Sequence, residues 1–200
     1  MISVLLGACL VAGLILLSRP TSGRSDAATV VRLTSADLAY ARIGAGVEPP
    51  MAVRVGNSGV LVTTQLAIGD EQQIDAYLAD GAKQSLEVAY VDPESSIAVL
   101  VSNRDSATTD SDVATNRIDP GQDVIVLSDT PLRMRVDEII GHVALLTSTS
   151  VFDPVEVAEG APVVDQSGRL VGICTHLGSG LALVLNDTIA HVLADVFASD

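Results

Sequence analysis

Short apolar runs recur along this chain, separated by clusters of Gly, Asp, Ser and Asn. The pattern is clearest from Val157 to Leu185. A buried run enters through Glu159-Gly160-Ala161-Pro162 and turns at Asp165-Gln166-Ser167-Gly168. A second run follows, then a Gly-Ser-Gly turn and a third run. Val, Leu and Ile fill the runs while turn formers fill the gaps, which is the pattern of antiparallel strands. The same grammar applies upstream. Thr29 to Leu33 reads as a strand, Gly44 to Pro50 as a loop, and Met51 to Gly69 as strands split at Gly56-Asn57-Ser58-Gly59. Gln72 to Asp80 and Gln84 to Val91 pair across Asp80-Gly81, a two-residue hairpin signal. Pro120 to Asp129 and Arg133 to Val143 supply further strands, with polar residues 103–116 between the two sets.

Two segments follow other periods. In 186–198, Ile189, Val192, Leu193, Val196 and Phe197 fall on one face of a helix, with Asp187 placed to cap it. Ile2 to Leu17 is apolar apart from Ser3 and ends at Ser18-Arg19-Pro20. About sixteen residues at roughly 1.5 Å each give about 24 Å of helix, enough to cross a bilayer with interfacial neighbours. A cleaved secretory signal competes with this reading, but a basic start and a small-x-small cleavage site are missing. Leu6-Gly7-Ala8-Cys9 looks like a lipoprotein box, yet the apolar stretch before it is too short. The expectation is an uncleaved single-pass anchor (1–18) and a polar linker (19–28). Arg19 and Arg24 after the anchor would place the domain in the cytoplasm by the positive-inside rule.

Composition narrows the partners. Apolar residues make up 48% of the chain, yet there are only two Phe, three Tyr and no Trp, so Val, Leu, Ile and Ala must build the core. Twenty-five acidic residues face eleven basic ones, of which only Lys83 is a lysine. The net charge of −14 leaves nothing to neutralise phosphates and argues against nucleic acid. It suits basic proteins or peptides, or serves solubility alone. Cys9 and Cys174 form no sensible pair, and Cys174 is expected as a small buried hydrophobe. The spacing of the cysteines and of His142, His176 and His191 gives no metal site, and no cofactor is indicated. Glu159, Glu156, Asp153 and Asp165 read as a solvated rim rather than a metal site.

Several stretches in collinear order resemble the trypsin-like serine proteases, most closely the HtrA (DegP-type) branch. Gly160, Pro162, Gly168 and Gly172-Ile173 fit the region around that family's nucleophile. GVLVTTQLA (59–67) fits its His-bearing strand end. Asp92, Pro93 and Ile97-Ala98-Val99-Leu100 fit the segment that carries the orienting Asp. Ile140-Gly141-His142-Val143 and the C-terminal helix continue the match, which covers roughly 29–198. The resemblance implies an all-β fold of two six-stranded antiparallel β-barrels closed by a C-terminal helix. Residues 29–103 would form the first barrel, 104–116 the connection, 117–185 the second barrel and 186–200 the helix. It also implies a domain outside the cytoplasm, which is the placement expected here.

The chain departs from the family where the chemistry resides. Gln65 stands at the catalytic His position, Ser96 at the orienting Asp, Glu159 at the nucleophilic Ser, and Val157 at a Gly whose N–H serves the oxyanion hole. An amide cannot act as a general base, a hydroxyl supplies no charge, and a carboxylate is a poor acyl acceptor. The expectation is a degenerate triad with no catalytic residue. Ser58, Ser95, Ser96 and Ser167 remain as hydroxyls, and His142 and His176 as bases. The two histidines are expected as half-buried sheet residues, neither facing the old His position. Gln65 and Glu159 are expected to meet across the cleft and bond to each other.

The functional expectation is a membrane-anchored, catalytically inactive homologue that binds a protein or peptide partner, as a regulatory module or as an accessory subunit of a membrane complex. The alternative is an active serine-type peptidase with a non-standard site. No PDZ-like segment is seen after the domain.

Overall fold

The computed structural model describes residues 40–44, 49–55, 59–78, 81–102, 117–149 and 157–198. The expected anchor, linker and first strand (1–39) and the connection at 103–116 lie outside these residues. Among the described residues, no helix is long and apolar enough to cross a membrane.

Twelve described strands form two sheets. The first holds β1 (Tyr40–Ile43), β2 (Met51–Arg54), β3 (Val60–Thr64), β4 (Gln73–Leu78), β5 (Lys83–Val91) and β6 (Ile97–Ser102). The second holds β7 (Asp123–Val126), β8 (Leu132–Ile140), β9 (Val143–Ser148), β10 (Pro162–Val164), β11 (Leu170–Leu177) and β12 (Gly180–Leu185). Each sheet closes into a barrel. The neighbour order is β1-β2-β3-β6-β5-β4 in one and β7-β8-β9-β12-β11-β10 in the other, all antiparallel where paired. The two barrels therefore share one winding. Paired closed barrels of this kind fit the trypsin-like double-barrel fold.

Why some strands are apolar throughout follows from what lies on each side. In β3 and β6, Leu61, Ala98 and Leu100 point into the first barrel, among Ile43, Ile68, Ile74 and Leu86. Their alternates Val60, Val62, Ile97 and Val99 point the other way. There they meet Ile173 and Val184 of the second barrel, together with Ile189, Val192 and Leu193. Strands buried on both faces lose polar alternation. β4 is covered on one side only: Ile74 and Ala76 are buried while Gln73 and Asp75 are exposed. It pairs with β5 with Tyr77 opposite Lys83; Asp80, the first residue of the expected two-residue turn, lies outside the described residues, and Gly81 has φ 81°.

Helix α1 (Gln65–Ile68) is a single turn after β3, and α2 (Asn186–Phe197) lies over the seam between the barrels. Asp187 does not cap α2. Leu185 occupies the cap position with no side-chain bond, and Asp187 sits in the first turn. There its carboxylate still faces the positive end of the helix dipole.

The β10–β11 turn is stapled by Asp165. Its side chain is 7% exposed and accepts from Ser167 N, Ser167 Oγ and Arg169 N, while the Arg169 guanidinium bonds it through two nitrogens at 3.0 and 2.9 Å. Burial opposes the charged form, but bonds from Ser167 and Arg169 outweigh it and hold this carboxyl below its ordinary 3.8. A lowered native pKa stabilises the fold above the unfolded value and loses that stability as pH falls through the native one. Asp165→Asn should therefore cost about 1–3 kcal/mol at pH 7. In urea titrations across pH, the gap to wild type should narrow below about pH 4. A gap independent of pH would contradict this account.

Candidate functional site

The positions singled out in the sequence converge where the loop before β10 meets the first barrel. Glu159-Gly160 forms a turn wedged between the two sheets. Met51 N donates to Glu159 O (2.8 Å), Thr63 Oγ1 donates to Met51 O (2.7 Å), and Gly160 N donates to Cys174 O (2.9 Å). Gly160 has φ 75°, and a Cβ there would lie 2.1 Å from Met51 O and 2.5 Å from Thr63 Oγ1. Only glycine lets the loop approach the first barrel so closely.

This approach fixes the Glu159 carboxylate, whose side chain is 11% exposed. Oε1 accepts from Thr64 Oγ1 at 2.6 Å. Oε2 accepts from His176 N at 3.0 Å and lies 2.8 Å from His176 Nδ1. An ionised carboxylate only accepts, so a hydrogen on Nδ1 would be the one that this contact takes. The expected Gln65–Glu159 bond is not formed. Gln65 opens α1 with an exposed side chain, whereas Thr64, the last residue of β3, is buried and aims its hydroxyl into the seam. Thr64 Oγ1 also accepts from Ala67 N at 3.3 Å, so the residue that caps α1 also ties the barrels together.

Ser96 joins the same neighbourhood through its backbone. Its carbonyl accepts from Gln65 N at 2.7 Å, and its side chain is exposed. It has φ 57°, the only positive value outside glycine among the described residues. Asp92 sets up this bend: its backbone O accepts from Ser96 N at 2.9 Å, and its carboxylate accepts from Ser95 N and Oγ. The Ser95 hydroxyl bond holds the Asp92 carboxyl below the usual range. Val157 packs into the second barrel's core at 4% exposure.

His176 is half exposed on β11 and bonds the Glu159 carboxylate. His142 sits in the turn between β8 and β9. Ser167 is committed to Asp165, while Ser58, Asp153 and Glu156 lie outside the described residues. Cys174 is fully buried, and burial, then the charge of Glu159, push its thiol up to about 12. It stays a thiol and is no nucleophile near neutral pH. Among the described residues, no three His, Cys, Asp or Glu side chains are grouped to hold a metal.

The order of groups decides the chemistry. Hydrolytic triads place the imidazole between hydroxyl and carboxylate, so that it takes the hydroxyl's proton. Here the carboxylate lies between Thr64 and His176, and the hydroxyl hydrogen is spent on Glu159. This arrangement works as a polar clasp between barrels. Thr64→Val removes its donor and leaves Oε1 short of a partner in a nearly closed site. It should cost about 1–3 kcal/mol in urea unfolding. Thr64→Ser should retain most of that stability; if both variants lose equally, packing and not the hydroxyl is responsible. No family model matches this chain, and no curated protein matches it.

Proposed function

We propose that this protein is a membrane-anchored, catalytically inactive relative of the HtrA-type trypsin-like proteases that binds an extended segment of a partner protein at the barrel seam. The observation that carries this reading is the clasp. Glu159, at the nucleophile-equivalent position, has both carboxylate oxygens engaged, by Thr64 and by His176. Gln65 and Ser96, at the other two positions, supply no base and no charge.

The binding half of the proposal draws on β11. β10 pairs with it only as far as Ile173, and Cys174 N and O then bond Ala161 and Gly160. Beyond that, His176 presents its N–H and carbonyl to the same side by strand alternation, and only the side chain of Glu159 meets the N–H. Extended peptides add to such open backbone. Leu177, 59% exposed at the end of this edge, and Leu66, 66% exposed on α1, offer apolar contacts. The charge of −14 favours a basic partner. The apolar segment 2–17 supports anchoring, and the resemblance, against Arg19 and Arg24, favours a domain outside the cytoplasm.

The test is a photocrosslinking amino acid at Leu177 of the full-length protein in native membranes, with one at exposed Asp195 on α2 as control. A partner captured from Leu177 and not from Asp195 is the expected result. Capture from both or neither counts against the seam as a binding site. Covalent labelling by a fluorophosphonate, abolished when one serine is replaced, would overturn the inactive reading.

A further inference from the structure

The edge of β11 at His176 is half closed by the protein itself. A strand that adds to an antiparallel edge uses two backbone groups of one residue, an N–H and a carbonyl. His176 turns both to the side where Cys174, two residues earlier, spends its own pair on Ala161 and Gly160. The His176 N–H is already taken. Glu159 Oε2 accepts it at 3.0 Å and lies 2.8 Å from Nδ1 of the same residue. The Glu159 side chain is only 11% exposed, so nothing reaches this N–H while the carboxylate stays in place.

The carboxylate can leave without the seam opening. The backbone around Glu159 is held on both sides, because Met51 N donates to Glu159 O and Gly160 N donates to Cys174 O. Rotation of the Glu159 side chain alone therefore uncovers the His176 N–H. That rotation also gives up the bond from Thr64 Oγ1, so the covered state is favoured by contacts at both oxygens. A charge turned into a strand edge blocks indiscriminate pairing. An arriving strand that leaves Glu159 in place sets its own carbonyl oxygen against a carboxylate, with no donor to share.

We infer that Glu159 is an autoinhibitory cap on the edge of β11, displaced when the carbonyl of a partner strand takes the His176 N–H. The inference rests on the seam reading above and adds its regulation: the affinity for any strand is reduced by the small fraction of molecules in which the cap is lifted.

The experiment is an amide chemical-shift titration of the full-length protein with an acetylated, amidated pentapeptide of alternating valine and threonine. The peptide is uncharged, so replacing Glu159 does not change its electrostatic attraction to the protein. Glu159→Ala should bind it roughly tenfold tighter than wild type, with the His176 and Leu177 amides moving most. Glu159→Gln keeps the size of the side chain and an oxygen that accepts, but loses the charge that strengthens the cap. It should gain roughly threefold, and it carries the test if the alanine variant does not fold. Unchanged or weaker binding by the variants, with His176 and Leu177 still moving, would overturn the cap and leave the seam site standing. Silence of these two amides in wild type and variants alike, up to about 10 mM, would overturn the seam site and the cap with it.

Discussion

Gly160→Ala should leave the protein unable to hold its native seam, with a loss above about 4 kcal/mol or no cooperative unfolding transition at all. The added Cβ would sit 2.1 Å from Met51 O, a backbone atom that cannot swing aside. Met51 O is itself fixed as the acceptor of Thr63 Oγ1, and Met51 N is bonded to Glu159 O. On the other side, Gly160 N is tied to Cys174 O. The loop therefore has no direction in which to retreat. A control separates clash from backbone conformation. Gly178 also has positive φ, 62°, but nothing lies within 4 Å of its would-be Cβ. Gly178→Ala should cost only about 1–2 kcal/mol. Urea unfolding followed by circular dichroism compares them directly, and equal losses would refute the close-approach argument.

The second large effect is expected at Ile173. This side chain is fully buried on the outer face of β11, among valines of β2, β3 and β6, Val184 of β12 and Ile189 of α2. Ile173→Ala opens a void walled by both barrels and the helix, where no single element can close in without leaving another. The loss should be about 3–4 kcal/mol. It should appear as a lower urea midpoint at unchanged slope. A transition split into two steps would instead show that the barrels unfold separately and that the seam contributes little to cooperativity.

Strands and the C-terminal helix were legible because their signals are local. Runs such as Ile97 to Leu100 and the spacing of Ile189, Val192 and Leu193 need no distant information. Asp187 misled, because an Asp near a helix start suits either the cap or the first turn. The pairing of Glu159 with His176 was not legible. A four-residue turn at 165–168 would set Glu159 opposite Cys174. In the structure Val164 pairs with Leu170, so the turn is one residue longer, a bulge between Val163 and Val164 adds one more, and the Glu159 carboxylate meets His176 instead. Nothing local announces that bulge. Thr64 carries no motif of its own, yet strand alternation, which turns consecutive side chains to opposite sides, separates it from Gln65.

The shared winding has a consequence for biosynthesis. In each barrel the sixth strand slots between the third and the fifth, so the first five leave a gap that only the last can fill. The first barrel can therefore shut once Ser102 has left the ribosome, the second not before Leu185. In the interval, Val60, Val62, Ile97 and Val99 face water while their partners are still being made. A half-synthesised chain thus carries a sticky apolar wall, and α2, made last, covers it.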